Sequence, residues 1–233
     1  MKNIIITGVS SGLGKAFVKK FSTYYKIFGL SRNKSELLKL EEEHPNFVGF
    51  ECDITCYKQV ESIFSQINFE VNNIDFLVNN AAIFKIGKLL EFKIDELDKI
   101  IDTNLKGQIY TTYALLKEFQ NKLNDTRIIN IASVAALHGI KGQSIYCASK
   151  FGLKGFADAL AQEINIDNIQ ITTIFPGGIN TPLWNKNLYP LNNGDSSIAL
   201  DTADILQAIE YLFTLKSNVV LKDLTIFPSI EWH

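Results

Sequence analysis

The chain contains 233 residues, of which 46% are hydrophobic, and its formal net charge is −2 at pH 7. This is enough apolar material for the core of one large domain, and the near-balanced charge does not favour nucleic acid or an anionic membrane as a partner. The three cysteines, Cys52, Cys56 and Cys147, fit a reducing compartment rather than a disulfide framework.

The sequence also lacks the patterns of metal sites and of membrane segments. Paired Cys/His spacings and an HExxH stretch are missing, so we expect no zinc site. No apolar run approaches about 18 residues, and the chain starts in a strand-like run without a basic and apolar leader. We therefore expect a cytoplasmic protein that has no membrane partner.

Strand-like and helical patterns alternate along the whole chain. Short β-branched and aromatic runs predict strands near 3–7, 26–31, 46–50, 74–79, 126–131, 169–175 and 223–227. Apolar residues at helical spacing predict helices near 12–23, 34–43, 56–69, 94–122, 145–165 and 201–214. This alternation predicts an α/β fold over 1–233, with a doubly wound parallel sheet of about seven strands and helices on both faces.

A glycine-rich turn joins the first predicted strand to the first helix. Its sequence from Thr7 to Gly14 is TGVSSGLG, directly after a β-branched run. Glycines let a phosphate approach main-chain N–H groups, and a helix N-terminus adds unpaired donors and a partial positive charge. The strand–turn–helix context favours a phosphate site, and the alternative is a glycine-rich connection without a ligand.

The second strand ends in Ser31 and Arg32, with no acid at its tip. In a dinucleotide fold, an acid at this point holds the ribose hydroxyls of NAD, whereas an arginine accommodates the 2′-phosphate of NADP. Arg32 therefore favours NADP(H) over NAD(H), unless it is only a solvated charge. Asn33 and Glu36 also resemble a helix-capping pair, so part of this stretch could be structural.

Polar or small residues also follow the third and fourth strands. Asp53 could accept a hydrogen bond from an adenine amino group, or it could cap the next helix. Asn79 and Asn80 precede two alanines, Ala81 and Ala82, which would let a flat ligand approach closely. The alternative for the two asparagines is that they tie adjacent strand ends together.

The helix from about 94 places Asn104 in the middle of an otherwise apolar stripe, and Gly107 loosens the helix nearby. An unpaired buried amide costs about 1–3 kcal/mol, so Asn104 must have partners, either structural ones or water and an active site.

The fifth strand leads to Ser133, and Tyr146 and Lys150 follow at i and i+4 on one helix face. A nearby ammonium lowers a tyrosine pKa, which would prepare Tyr146 to exchange protons.

The sixth strand ends in a turn of small and polar residues, Pro176, Gly177, Ile179 and Thr181 among them. A long irregular segment, 177–200, follows it and is predicted to be a substrate loop. Its large apolar residues are Ile179, Leu183, Trp184, Leu188, Tyr189 and Leu191, with only one lysine and one aspartate. They could pack on the protein itself, or close over an uncharged carbonyl compound.

In this order and at this spacing, the motifs resemble the short-chain dehydrogenase/reductase family over nearly the whole chain. The matching pieces are Thr7-Gly8-x-x-x-Gly12-x-Gly14, Asp53, Asn79-Asn80-Ala81, Asn104, Ser133, Tyr146-x-x-x-Lys150 and Pro176-Gly177. The resemblance implies a single-domain Rossmann fold and a catalytic set. Tyr146 would be the general acid/base, and Ser133 would orient the substrate oxygen. Lys150 would lower the pKa of Tyr146 and hold the nicotinamide ribose, and Asn104 would support a water in the proton relay.

The same resemblance implies which residues bind the cofactor. They are Gly8, Ser10, Ser11, Gly12, Leu13, Gly14, Ser31, Arg32, Asp53, Ile54, Asn80, Ala81, Tyr146, Lys150, Pro176, Gly177, Ile179 and Thr181. Two positions depart from the family pattern. Ala82 replaces a usual glycine, and Ser11 stands where many NADP-dependent members carry a basic residue, which weighs against NADP.

The resemblance implies an oxidoreductase that transfers a hydride between NAD(P) and a carbonyl or alcohol substrate. A catalytically silent regulator or scaffold of the same fold is the alternative, and the intact catalytic set argues against it. An epimerase would need a longer C-terminal domain, and a methyltransferase would leave the Tyr–Lys pair unexplained. Family members commonly pair through the two long helices, so we expect a homodimer or homotetramer.

Overall fold

The computed structural model describes residues 1–120, 122–164, 169–184 and 199–229. The strands are β1 (Asn3–Thr7), β2 (Lys26–Ser31), β3 (Phe47–Glu51), β4 (Phe76–Asn79), β5 (Thr126–Ile131), β6 (Ile169–Pro176) and β7 (Asp223–Ile226). The helices are α1 (Gly12–Phe21), α2 (Lys34–Glu43), α3 (Tyr57–Glu70), α4 (Ile94–Ile101), α5 (Gly107–Glu118), α6 (Ser144–Glu163) and α7 (Thr202–Thr214). Short 3₁₀ turns lie at Leu89–Glu91 and Val134–Ala136.

The seven strands form one sheet in the order β3-β2-β1-β4-β5-β6-β7, and every neighbouring pair is parallel. This confirms the predicted Rossmann-type α/β fold. The strand order reverses between β1 and β4, where the connections leave toward opposite faces of the sheet. Such a reversal opens a crevice at the carboxyl ends of the strands, which is where open α/β sheets bind ligands.

Apolar side chains cover both faces of the sheet, as the strand alternation of β1 illustrates. Ile4 and Ile6 belong to one buried cluster, together with Phe17 of α1 and Phe213 of α7. Ile5 points to the opposite face, into a second cluster built on α3, α5 and α6. A strand that is buried on both faces needs a continuous apolar run, which is what the sequence of β1 provides.

The predicted helix over 94–122 is wrong in one respect, because the structure contains two helices there. A π-helical turn over Asp102–Lys106 separates α4 from α5, and α5 ends at Glu118. The turn brings Asn104 into the interior, with none of its surface exposed. A π turn inserts a residue into the helical repeat and is frequent at functional sites. The prediction of a single helix assumed an uninterrupted 3.6-residue repeat across this stretch.

The two asparagines at the end of β4 tie neighbouring elements together. Asn79 donates through Nδ2 to Asn130 Oδ1 of β5 at 3.0 Å and accepts at Oδ1 from the Thr111 hydroxyl at 2.7 Å. Asn80 donates through Nδ2 to the carbonyl oxygen of Thr7 at 2.9 Å. The structural interpretation is therefore correct for both asparagines. Their hydrogen bonds fix the ends of β1, β4 and β5 relative to one another.

Candidate active site

A cavity of about 1060 Å³ lies at the carboxyl edge of the sheet. Of the predicted site residues, those that line it are Gly8, Ser10, Ser11, Gly12, Leu13, Ser31, Arg32, Asp53, Ile54, Asn80, Ala81, Ser133, Tyr146, Lys150, Pro176, Gly177, Ile179 and Thr181. Gly14 and Asn104 are not among the lining residues; they lie behind the wall of the cavity. The strand ends therefore bring nearly the whole predicted set into one crevice.

The glycine turn has the geometry of a phosphate cradle. Gly8 adopts a φ of 76°, which residues with a side chain rarely adopt. A Cβ at Gly14 would lie 2.2 Å from the carbonyl oxygen of Gly8, so α1 approaches the turn as closely as the backbone allows. Free N–H groups at the start of α1 then face the cavity. This arrangement fits the pyrophosphate of a dinucleotide such as NAD(P).

The tip of β2 combines a helix cap with an exposed arginine. Asn33 Oδ1 accepts from the backbone N–H of Glu36 at 3.2 Å, so the predicted cap of α2 is confirmed. The Glu36 carboxylate does not return to Asn33 but binds Lys15 at 2.7 Å and Lys39 at 2.9 Å. Arg32 is exposed, and no described acid pairs with it. Its guanidinium is therefore available to an anion at this end of the cavity.

Asp53 follows the end of β3 and forms hydrogen bonds within the loop after it. Its Oδ1 accepts from the backbone N–H of Thr55 at 3.0 Å and from the Thr55 hydroxyl at 2.8 Å. Asp53 also lines the cavity, so its turn-forming bonds leave it beside the space where an adenine would lie. Contact with adenine stays a prediction.

Ser133, Tyr146 and Lys150 meet at the ends of β5 and the start of α6. Lys150 Nζ donates to the carbonyl oxygen of Ile131 at 3.0 Å and lies 5.7 Å from the centroid of the Tyr146 ring. Ser133 Oγ accepts from the backbone N–H of Ala135 at 3.2 Å. The side chains of Tyr146 and Lys150 are both almost completely buried. Ser133 and Tyr146 are joined by a side-chain hydrogen bond, and Lys150 lies against the ring of Tyr146.

Burial controls the protonation of this cluster. It raises the pKa of Tyr146 to about 12, although a hydrogen bond with Ser133 acts in the opposite direction. Burial also lowers the pKa of Lys150 to about 7, because the charged ammonium loses its hydration. The expected lowering of the Tyr146 pKa by Lys150 is not found in this structure. Tyr146 is instead held as a neutral phenol, which is a proton donor.

Asn104 has a complete set of protein partners. Its Oδ1 accepts from the backbone N–H of Ile83 at 2.8 Å, and its Nδ2 donates to the Ile83 carbonyl oxygen at 2.9 Å. Nδ2 also lies 3.3 Å from Ser149 Oγ, which donates to the carbonyl oxygen of Tyr146 at 2.7 Å. The side chain therefore links the chain after β4 to the first turn of α6, and a role in holding water stays a prediction.

Several residues of the cavity wall were not predicted from the sequence, and Phe84 is the most important of them. The Phe84 ring lies edge-on to Tyr146, with centroids 4.7 Å apart and an interplanar angle of 82°. It also contacts Trp184, with centroids 4.6 Å apart. Other unpredicted lining residues include Thr103, His138, Ile140 and Gln143. Phe84 follows the end of β4 by only a few residues, and this position at the carboxyl edge was a usable signal.

The predicted substrate loop is described only at its two ends. Leu200 donates its N–H to the Gly178 carbonyl oxygen and accepts from the Asn180 N–H, both at 2.9 Å, so the ends are tied together. Thr181 packs against the glycine turn, since a Cβ at Gly12 would lie 3.3 Å from Thr181 Cβ. The stretch 185–198, which carries Leu188, Tyr189 and Leu191, lies outside the described residues.

The described residues contain neither a metal-binding cluster nor a membrane-spanning helix. Among those residues, no group of three or more His, Cys, Asp or Glu side chains could hold a metal ion. Nor does any described helix have the length and apolar character needed to cross a membrane.

Known proteins with similar sequences and folds point to one family. Residues 2–190 match the short chain dehydrogenase family. Carbonyl reductase family member 4 of Danio rerio is 34% identical over 77% of this chain and 76% of its own. The NADP-dependent 3-hydroxy acid dehydrogenase of Schizosaccharomyces pombe is 30% identical over 98% and 93%. A solved structure described as ElxO with NADP bound has a TM-score of 0.85 and 27% identity over 97% of both chains.

The chain therefore belongs to the short-chain dehydrogenase/reductase family, and it is an oxidoreductase of that family. The family match extends over most of the chain, and the resemblance inferred from the motifs is confirmed. The members of this family bind a nicotinamide cofactor, which is also the group that the glycine turn fits.

The buried charge of Lys150 predicts a pH-dependent stability. Folding lowers the pKa of Lys150 from 10.5 to about 7. Between these two values the unfolded chain binds more protons, so the free energy of unfolding rises with pH, by about 1.4 kcal/mol per unit of pKa difference. We expect the stability of the wild type relative to Lys150→Met to increase from about pH 7 to about pH 10 in denaturant titrations.

Lys150→Met loses the hydrogen bond to Ile131 at every pH, so this loss changes its stability by a constant amount. The pH dependence of the difference between wild type and Lys150→Met therefore reports the buried charge. Lys19→Met, at an exposed position of α1, is the matched control and should run parallel to the wild type. If the curves of wild type and Lys150→Met were also parallel, the buried-charge argument would be wrong.

Proposed function

We propose that this protein is an NADPH-dependent reductase of neutral ketones or aldehydes, with Tyr146 as its general acid. The observation that carries the proposal is the position of the Tyr146 phenol, which is buried, hydrogen-bonded with Ser133 and next to Lys150 in a cavity that continues to the glycine turn. A phenol in this position can supply the proton that is consumed when a carbonyl becomes an alcohol.

The chain's own residues supply the proton chemistry. When bound, a nicotinamide cofactor supplies the hydride for the carbonyl carbon. Tyr146 donates its phenolic proton to the oxygen as negative charge develops there, and the Ser133 hydroxyl donates a hydrogen bond to the same oxygen. Lys150, held by the Ile131 carbonyl oxygen, favours the tyrosinate that remains, since a positive charge stabilises a nearby anion.

Support for NADPH comes from the β2 tip and from the relatives. Arg32 is exposed at the cavity, and no ion pair joins it to an acid among the described side chains. A guanidinium binds phosphate through several N–H groups at once. The Schizosaccharomyces pombe relative is named as NADP-dependent, and the ElxO structure contains NADP. Ser11, which is not basic, is the one feature that weighs against this preference.

Support for a neutral substrate comes from the charges on the cavity wall. Among the described lining residues the cations are Arg32, Lys34 and Lys150, and His138 is the one imidazole. Arg32 and Lys34 follow β2, at the end assigned to the cofactor, and Lys150 serves Tyr146. The substrate end therefore has no described lysine or arginine for a carboxylate, which favours a neutral carbonyl compound over an acid.

Loss of the phenolic hydroxyl tests the catalytic assignment. Tyr146→Phe keeps the ring but removes the proton donor, so kcat for a ketone should fall by about 10²- to 10⁴-fold while the Kd for NADPH changes little. Turnover is followed by NADPH absorbance with a panel of ketones, aldehydes, diketones and 3-hydroxy acids.

Tyr24→Phe, which removes the same hydroxyl from an exposed tyrosine, is the matched control and should keep the wild-type rate. Near-native turnover by Tyr146→Phe would refute the role of Tyr146. A wild type that oxidised 3-hydroxy acids but reduced no ketone or aldehyde would refute the proposed substrate class.

The cofactor preference depends on a single guanidinium. A charged hydrogen bond contributes about 1.5–3 kcal/mol, so the wild type should bind NADPH about ten- to a hundredfold more tightly than NADH. Arg32→Ala should bring the two Kd values together, mainly by weakening NADPH, as measured by fluorescence titration. Lys58→Ala on the exposed side of α3 should leave the ratio unchanged, and an unchanged ratio in Arg32→Ala would contradict the assignment.

We further propose that two chains pair through α5 and α6. The exposed face of α6 carries small residues and Phe151, namely Ala148, Phe151, Gly155 and Ala159, and Tyr113 of α5 is 55% exposed. Small residues let two helices approach closely, and apolar surface of this kind needs a cover. Light scattering at micromolar concentration should give a dimer or tetramer, and Gly155→Lys should shift it toward the monomer. A monomeric wild type would refute the pairing.

A further inference from the structure

Three aromatic rings form a continuous wall that begins at the catalytic phenol. Phe84 presents its edge to Tyr146, with centroids 4.7 Å apart at 82°, and its other side contacts Trp184 at 4.6 Å and 57°. All three side chains line the cavity. The wall therefore includes the phenol of Tyr146 and extends from it through Phe84 to Trp184, which places aromatic surface next to the position proposed for the substrate carbonyl group.

Hydrogen bonds hold this wall in place from behind. Asn104 accepts from the Ile83 N–H at 2.8 Å and donates to the Ile83 carbonyl oxygen at 2.9 Å, which fixes the backbone of the residue that precedes Phe84. At the other end, the backbone N–H of Trp184 donates to the Thr181 carbonyl oxygen at 3.2 Å. Thr181 is itself buried against the glycine turn. Rings held in this way can select by geometry as well as by apolar area.

We propose that Phe84 and Trp184 make the enzyme selective for carbonyl compounds that carry an aromatic ring, over saturated compounds of the same size and carbon skeleton. The proposal rests on the reductase function proposed above and narrows its substrate class. Aromatic rings prefer edge-to-face and offset contacts, which contribute beyond the burial of their area. A saturated ring gains only the area term from the same wall.

A matched pair of substrates separates these two contributions. Phenylacetone and cyclohexylacetone share a carbon skeleton, are uncharged, and carry a carbonyl group that is not conjugated with the ring, so their intrinsic reactivities are close. We expect the wild type to favour phenylacetone about three- to tenfold in kcat/KM, which is the range that one aromatic contact gives. Because both ketones use the same Tyr146, any change in the position of Tyr146 cancels in the ratio.

Substitutions at Phe84 then test the origin of the preference. Phe84→Leu keeps an apolar side chain but removes the ring, so the ratio of the two kcat/KM values should fall toward one. Phe84→Tyr retains the ring and should retain the preference. Phe69→Leu makes the same substitution on an exposed phenylalanine of α3 and should behave as the wild type. Trp184→Leu changes a second, half-buried residue of the wall and should also lower the ratio of the two kcat/KM values. This test does not depend on the folding of the Phe84 variant.

The outcomes distinguish this inference from the function on which it rests. If both ketones are reduced but the ratio is near one in the wild type, or is the same in Phe84→Leu and Trp184→Leu as in the wild type, the aromatic selectivity is overturned while the reductase function stands. If neither ketone nor any other neutral carbonyl compound in the panel is reduced, the proposed function itself fails, and the selectivity fails with it.

Discussion

The tie between the ends of β1 and β4 is the interaction on which the rest of the site depends. The hydroxyl of Thr7 accepts from the backbone N–H groups of Asn80 and Ala81 at 3.0 and 2.9 Å, and the Asn80 amide donates back to the Thr7 carbonyl oxygen. These bonds lie at the reversal of strand order, just beyond the last paired residues of β1 and β4. They set the glycine turn, which follows β1, at a fixed distance from the segment that carries Phe84.

The cluster of Ser133, Tyr146 and Lys150 shows a second constraint, which is the cost of burying groups that can carry charge. Desolvation raises the pKa of Tyr146 and lowers that of Lys150, so both groups are held in their neutral forms more strongly than in water. An apolar pair at these positions would avoid that cost. Retaining two ionisable groups in a dry site is typical of a centre that moves protons, where stability is given up for function.

Local patterns in the sequence predicted the sheet, the glycine turn and the Tyr146–Lys150 pair, because each depends on spacings of a few residues. The π-helical turn was not predicted, since a single uninterrupted helical repeat was assumed across Asp102–Lys106. The contacts of Asn104 with Ile83 and of Phe84 with Trp184 were not predictable either, because the two residues of each pair lie far apart in the chain. The pKa of Tyr146 also escaped prediction: the sequence places Lys150 beside it, but only the fold reveals that burial outweighs the charge.

The residues assigned to the cofactor and the aromatic wall share segments of the chain. Of the assigned residues, Gly8, Arg32 and Asp53 follow β1, β2 and β3, whereas Ala81 and Thr181 lie on the segments after β4 and β6 that also carry Phe84 and Trp184. The backbone N–H of Trp184 donates to the Thr181 carbonyl oxygen, so the wall is joined directly to that part of the cavity. Asn104 forms a second link, since its amide binds Ile83 on the wall side and reaches Ser149 one turn from Tyr146. A change at Asn104 therefore acts on the wall and on the start of α6 together.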